Sequence, residues 1–130
     1  MAQQDVDNVK AAYEAFGRGD LEGAATNMSE DLEWWSSEEI PEGGTIRGRD
    51  AVIQSWSRIP DHYSEFAVEP AEFVDAGDKV LVLGTQRGTG KDSGKSFEGR
   101  YAHVFWVRGG QVVRSEFHGD SAKEVQAVGA

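Results

Sequence analysis

The chain has 130 residues, no cysteine and a formal charge of −10. That length is one domain of ordinary size, taken as a single unit over residues 1–130. The lack of cysteine excludes disulfides and thiolate metal sites, and the acidic balance disfavours a nucleic-acid partner. Apolar residues make up 38% and include four Trp, enough to build a core without covalent staples. The only His are 62, 103 and 118, none four residues from another, so no metal site is expected. Residues 1–8 are polar, with Asp5 and Asp7, and no apolar run approaches spanning length. The expectation is a cytoplasmic protein with no membrane partner.

Val6, Val9, Tyr13 and Phe16 recur at helical spacing and predict a helix over 5–17, ended by Gly17 and Gly19. Asp20 caps a second helix, Leu21 to Met28. Leu32 to Ser36 reads as a strand, with Trp34 and Trp35 on opposite faces. Residues 37–48, with Pro41 and Gly43-Gly44, read as loop. A third helix follows over 50–59, striped by Val52, Trp56 and Ile59 and stopped at Pro60.

From about Glu65 the apolar period changes to two. Phe66 to Val74 is a strand whose Pro70 predicts an edge position or a bulge. A turn at Asp75–Asp78 leads to a strand over Lys79 to Arg87, then a Gly-rich hairpin loop over 88–96. That loop, GTGKDSGKS, is not a phosphate loop: Thr89 stands where a Gly is required, and a strand follows where a helix is required. Arg100 to Asp120 reads as two long strands joined at Gly109-Gly110. Ser121-Ala122-Lys123-Glu124 has the form of a capping box and predicts a short terminal helix. Segregated helices and hairpin-linked strands imply an α+β fold. Its curved antiparallel sheet carries the helices on one face, with a pocket between the layers.

The organising hairpin places His103, Phe105 and Val107 on one face, answered by Val113, Ser115 and Phe117. His103 is then a titratable group in an apolar wall, either a core His bonded to its neighbours or a group that exchanges a proton with a ligand. Tyr13, Trp34, Trp56, Phe105 and Phe117 are candidates for a cage around a flat apolar ligand, or for a filled core. Thr85, Arg87 and Arg100 are placed near the pocket mouth, or outward as solvated charges. Asp120 either reaches the pocket rim as a base or caps the terminal helix; the cap is favoured. Glu116 and His118 fall on the opposite sheet face, which suits a dimer interface.

Gly19-Asp20-Leu21, Glu30-Asp31, Gly48-Arg49-Asp50-Ala51-Val52 and His103-Val104-Phe105-Trp106-Val107-Arg108-Gly109-Gly110-Gln111-Val112-Val113 leading to Asp120 together resemble the NTF2-like superfamily, in its SnoaL-like and ketosteroid isomerase-like branch. The resemblance covers nearly the whole chain. It implies a cone-shaped, cystatin-like α+β roll with a deep pocket, a homodimer packed through the outer sheet face, and acid–base chemistry without a cofactor. Aligned on ketosteroid isomerase, His103 falls where that enzyme has the acid of its oxyanion hole. Ser36 falls at the catalytic base, and Ala12 at the catalytic Tyr, with Tyr13 turned by the helix to another direction. SnoaL-like cyclases pair a pocket His with an Asp near the end of the sheet, for which His103 and Asp120 are the candidates. Two functions follow as expectations. One is a cofactor-free isomerase, cyclase or hydrolase acting on a small polyketide-, steroid- or terpenoid-like molecule, with His103 and Asp120 catalytic. Its ligand-binding residues would be Tyr13, Trp34, Ser36, Trp56, Thr85, Arg87, Phe105, Ser115 and Phe117. The other is a ligand-binding or homodimeric interaction module without activity.

Overall fold

The computed structural model describes residues 2–128. Its elements are α1 (Ala2–Gly17), α2 (Leu21–Ala24), β1 (Met28–Ser36), β2 (Gly44–Arg47), α3 (Arg49–Ser57), α4 (Ile59–His62), β3 (Tyr63–Asp75), β4 (Lys79–Gly90), β5 (Ser96–Arg108), β6 (Gln111–His118) and α5 (Ser121–Val128). The architecture is α+β. Six strands form one sheet in the order β2-β1-β6-β5-β4-β3. It stays open, with β2 and β3 at its edges. Helix α1 lies on β3 and β4, α3 on β1 and β2, and α5 on β5 and β4.

The sheet is mixed rather than antiparallel throughout, because β1 pairs parallel with β6. Parallel neighbours need a long crossover, and everything from β2 to β5 supplies it. Pro70 behaves as its missing N–H requires: β3 is an edge strand, and its register shifts between Pro70 and Glu72. The Gly109-Gly110 turn has φ of 59° and 79°, the two left-handed residues of a tight hairpin.

Four expectations are corrected. Helix α2 stops at Ala24 instead of Met28, because the chain leaves it to pair with β6: Val112 N–H donates to the Asn27 carbonyl at 2.8 Å, and Met28 opens β1. Strand β2 lies inside what reads as loop, its only strong apolar signal being Ile46. The loop over 88–96 is shorter, because β4 runs on to Gly90; Gly88 and Gly90 face inward without a side chain to mark the period. Finally, a register shift between Trp106 and Val107 buries Val112 instead of Val113.

Leu32, Val52 and Val82 are fully buried at the centre, with Val9 of α1 beside them. Fully burying a side chain of this kind contributes roughly 1.5–3 kcal/mol, so this centre anchors the helices to the sheet. A second cluster of Tyr63, Phe97 and Ala127 ties down α5. Gly90 permits that contact, since a Cβ there would lie 2.2 Å from the Ala127 carbonyl oxygen.

Candidate functional site

Between the buried sheet face and the helices lies a cavity of about 130 Å³. Tyr13, Trp34, Ser36, Trp56, His103, Phe105 and Phe117, all singled out from the sequence, line it. The aromatic side chains interlock: Trp34 meets Trp56 edge-to-face at 5.2 Å, and Trp56 meets Phe16 at 5.6 Å.

Tyr13 is not turned away, as the helical offset from Ala12 suggests; both residues face the cavity. The phenol oxygen of Tyr13 lies 3.0 Å from Nδ1 of His103, and Nε2 of His103 lies 2.6 Å from Oγ of Ser115. Ser115 is wholly buried behind the imidazole. Burial pushes the imidazole pKa down to about 3, with repulsion from His118 adding to it, so the ring is neutral. A neutral imidazole donates from one nitrogen and accepts at the other. Among the described residues Ser115 Oγ bonds only to this ring. If Nε2–H donated to it, the serine proton would have no acceptor. The serine proton is answered when Ser115 O–H donates to Nε2; Nδ1–H then donates to the Tyr13 oxygen, and the Tyr13 O–H is the one proton left over, beside the Tyr101 hydroxyl and the cavity. Burial, reinforced by the neighbouring Tyr101 hydroxyl, pushes the Tyr13 phenol well above its ordinary pKa, so it remains a donor.

Four of the site residues read from the sequence do not line the cavity: Ser115, which lies behind His103, and Thr85, Arg87 and Asp120. Thr85 and Arg87 point to the outer face, and Arg87 pairs with Glu69 at 3.3 Å. The inward side chains of β4 are Val80, Val82 and Gln86, one residue out of step with that reading. Asp120 caps α5, its Oδ1 accepting from Lys123 N–H at 3.2 Å, so no His103–Asp120 pair forms. Arg100 is likewise exposed.

The cap at Asp120 has a consequence for Glu124. As a capping-box partner, Glu124 would reach back along its own helix; instead it turns inward, 2% exposed, and lines the cavity. Its carboxyl accepts a hydrogen bond from the Tyr63 hydroxyl and one at 3.4 Å from the Gln86 amide. Burial raises its pKa above the ordinary carboxylate range, which the bonds from Tyr63 and Gln86 only partly offset. The readable signal was that Glu124 sits three residues before Ala127, on the helix face that packs inward.

Ile40, Pro41 and Glu42 line the cavity from the loop between β1 and β2. Glu42 has a φ of 62°. It is held by Arg58, at 2.8 Å, and by His62, at 3.2 Å. The hydrogen bond from Arg58 keeps its carboxyl below the usual range. Among the described residues no group of three His, Asp or Glu side chains is placed to hold a metal ion, and no helix is long and apolar enough to cross a membrane.

A profile of the SnoaL-like domain matches residues 9–115. The chain belongs to the SnoaL-like family, within the NTF2-like superfamily. Among solved structures, this SnoaL-like domain is similar to an NTF2-like protein of unknown function from Burkholderia pseudomallei, 32% identical over 98% of each chain with a TM-score of 0.90. It is similar also to TerC, co-crystallised with polyporic acid, at 25% identity over 98% of this chain and 99% of that one, with a TM-score of 0.88. An uncharacterised protein of Mycobacterium tuberculosis is 28% identical over 119 residues, 91% of each chain. The match to the family profile ends before Glu124, so the α5 carboxyl lies outside the part of the SnoaL-like domain that the profile spans.

Proposed function

We propose that this SnoaL-like domain binds a small, mainly apolar carbonyl compound in its cavity and moves a proton on it using side chains alone. The observation that carries the reading is that Tyr13 and Glu124 line the same apolar cavity. Tyr13 O–H, backed by His103 and Ser115, donates to the carbonyl oxygen and stabilises the charge that develops there. Glu124, with its raised pKa, takes the proton from the adjacent carbon and returns it. His103 is thus a positioning residue: both its ring nitrogens are already bonded to protein groups. The likeness to TerC, co-crystallised with polyporic acid, supports an organic small molecule as the ligand class.

The test is deuterium incorporation next to the carbonyl of simple ketones in D₂O, followed by NMR. Wild-type protein should accelerate it and Glu124→Gln should not. Equal rates with and without protein would leave the second reading, a binding or interaction module without activity. What favours that alternative is the saturation of both His103 nitrogens by the protein itself.

The homodimer is part of the same proposal. The outer sheet face carries Trp35 against His118 at 4.9 Å, Trp106 under the Arg114 guanidinium at 5.5 Å, and an exposed Leu83. Large aromatic and aliphatic side chains flanked by paired charges suit the centre of an interface between two copies.

A further inference from the structure

We infer that the occupant of the cavity is a single-ring carbonyl compound without a negative charge, and not a fused polycyclic molecule or an organic acid. The inference rests on the proposed binding and proton-transfer role and specifies its substrate class.

Size comes first. A cavity of about 130 Å³ is close to the roughly 150 Å³ that holds one benzene molecule. It falls well short of the roughly 300 Å³ at which sites for drug-sized ligands begin. The walls offer little slack. The wall indoles of Trp34 and Trp56 pack on each other, and Trp34 also stands edge-on to His103 at 5.0 Å. The loop side is lined by Ile40 and Pro41, with Glu42 tied to Arg58 and His62. A second fused ring would have to displace one of these packed groups or project from the mouth of the cavity, where it gains no apolar wall.

Charge comes second. No Lys or Arg lines the cavity, whereas Glu42 and Glu124 do. The neighbouring cations are engaged elsewhere: Arg58 on Glu42, and Lys123 on the Glu98 carbonyl at 3.2 Å. An anionic ligand would be stripped of water and set beside two carboxyls with no cation to meet it. A ligand without any acceptor is equally unsuited, because the Tyr13 O–H would remain unanswered. A neutral ring bearing one carbonyl oxygen satisfies both conditions.

The test measures binding to wild-type protein at neutral pH by tryptophan fluorescence, since Trp34 and Trp56 line the cavity, with calorimetry as a check. The probes are acetophenone, 2-acetonaphthone and benzoate. Acetophenone should bind tighter than each of the others by at least about tenfold. Binding of 2-acetonaphthone as tight as that of acetophenone would overturn the single-ring assignment. Comparable binding of benzoate would overturn the exclusion of an organic acid. If 2-acetonaphthone bound more tightly and its α-protons exchanged on the protein, the proposed function would stand and this inference alone would fall. If none of the three bound, both would fall.

Discussion

The hydroxyl of Tyr13 in α1 and Nδ1 of His103 in β5 are ninety residues apart in sequence and 3.0 Å apart in space. This contact joins the first helix to the middle of the sheet. Replacing Tyr13 by Phe leaves Nδ1–H of a buried imidazole without an acceptor. That should cost about 1–3 kcal/mol of stability, read by denaturant unfolding. The same change should slow ketone proton exchange by about 10²–10³-fold, as losing one oxyanion donor does.

His103 should stay neutral through the whole physiological range. Its folded-state pKa of about 3 lies below the ordinary 6.5, so the unfolded chain takes up the proton first. The stability it contributes is complete above pH 6.5 and is lost progressively as pH falls from there towards 3. NMR of the imidazole should show no titration between pH 5 and 8 in the folded protein, and unfolding curves should show the acid-side decline. His103→Gln should flatten part of that decline.

Tyr101 stacks on Phe117 at 4.8 Å, yet its hydroxyl is buried without a hydrogen-bond partner among the described residues. An unanswered buried hydroxyl costs stability. Tyr101→Phe should therefore raise the melting temperature, by the equivalent of about 1 kcal/mol. A lower melting temperature would show that the hydroxyl is bonded in solution.

Much of this arrangement is legible in the sequence, for reasons that differ between elements. The stripe Val6, Val9, Tyr13 and Phe16 fixes which side of α1 faces in, and strict alternation around His103 fixes the face of β5. Pro70 marks an edge because it has no proton to give. Elsewhere the local pattern underdetermines the structure. On β4, Gly84, Gly88 and Gly90 remove the side chains that would have shown the inward set, so Thr85 and Arg87 read as inward while Gln86 takes that place. The bulge at Trp106–Val107 exchanges Val112 for Val113. Glu124 is hidden by chemistry: Ser-x-x-Glu is a capping pattern, and only the cap from Asp120 shows that its carboxylate is free to turn inward. The parallel pairing of β1 with β6 has no local signal at all.

The outer face gives a further expectation. If two copies meet there, sedimentation should report a dimer at micromolar concentration, and Trp106→Glu should give a monomer that keeps its fold. A wild-type monomer would remove the interface without touching the cavity.

Glu124 links stability to activity. Its folded-state pKa is raised by burial. The stability it contributes is therefore full below the ordinary carboxylate value and is lost as pH rises through the raised one. At neutral pH Glu124→Gln should melt higher than wild type, since a neutral amide oxygen still accepts from Tyr63. The central claim is tested most directly by the pH dependence of ketone α-proton exchange in wild type and Glu124→Gln. In wild type the rate should climb as pH rises through a value above the ordinary carboxylate pKa, and the variant should fall to the background rate at every pH. A variant that keeps the wild-type rate and profile would contradict the account.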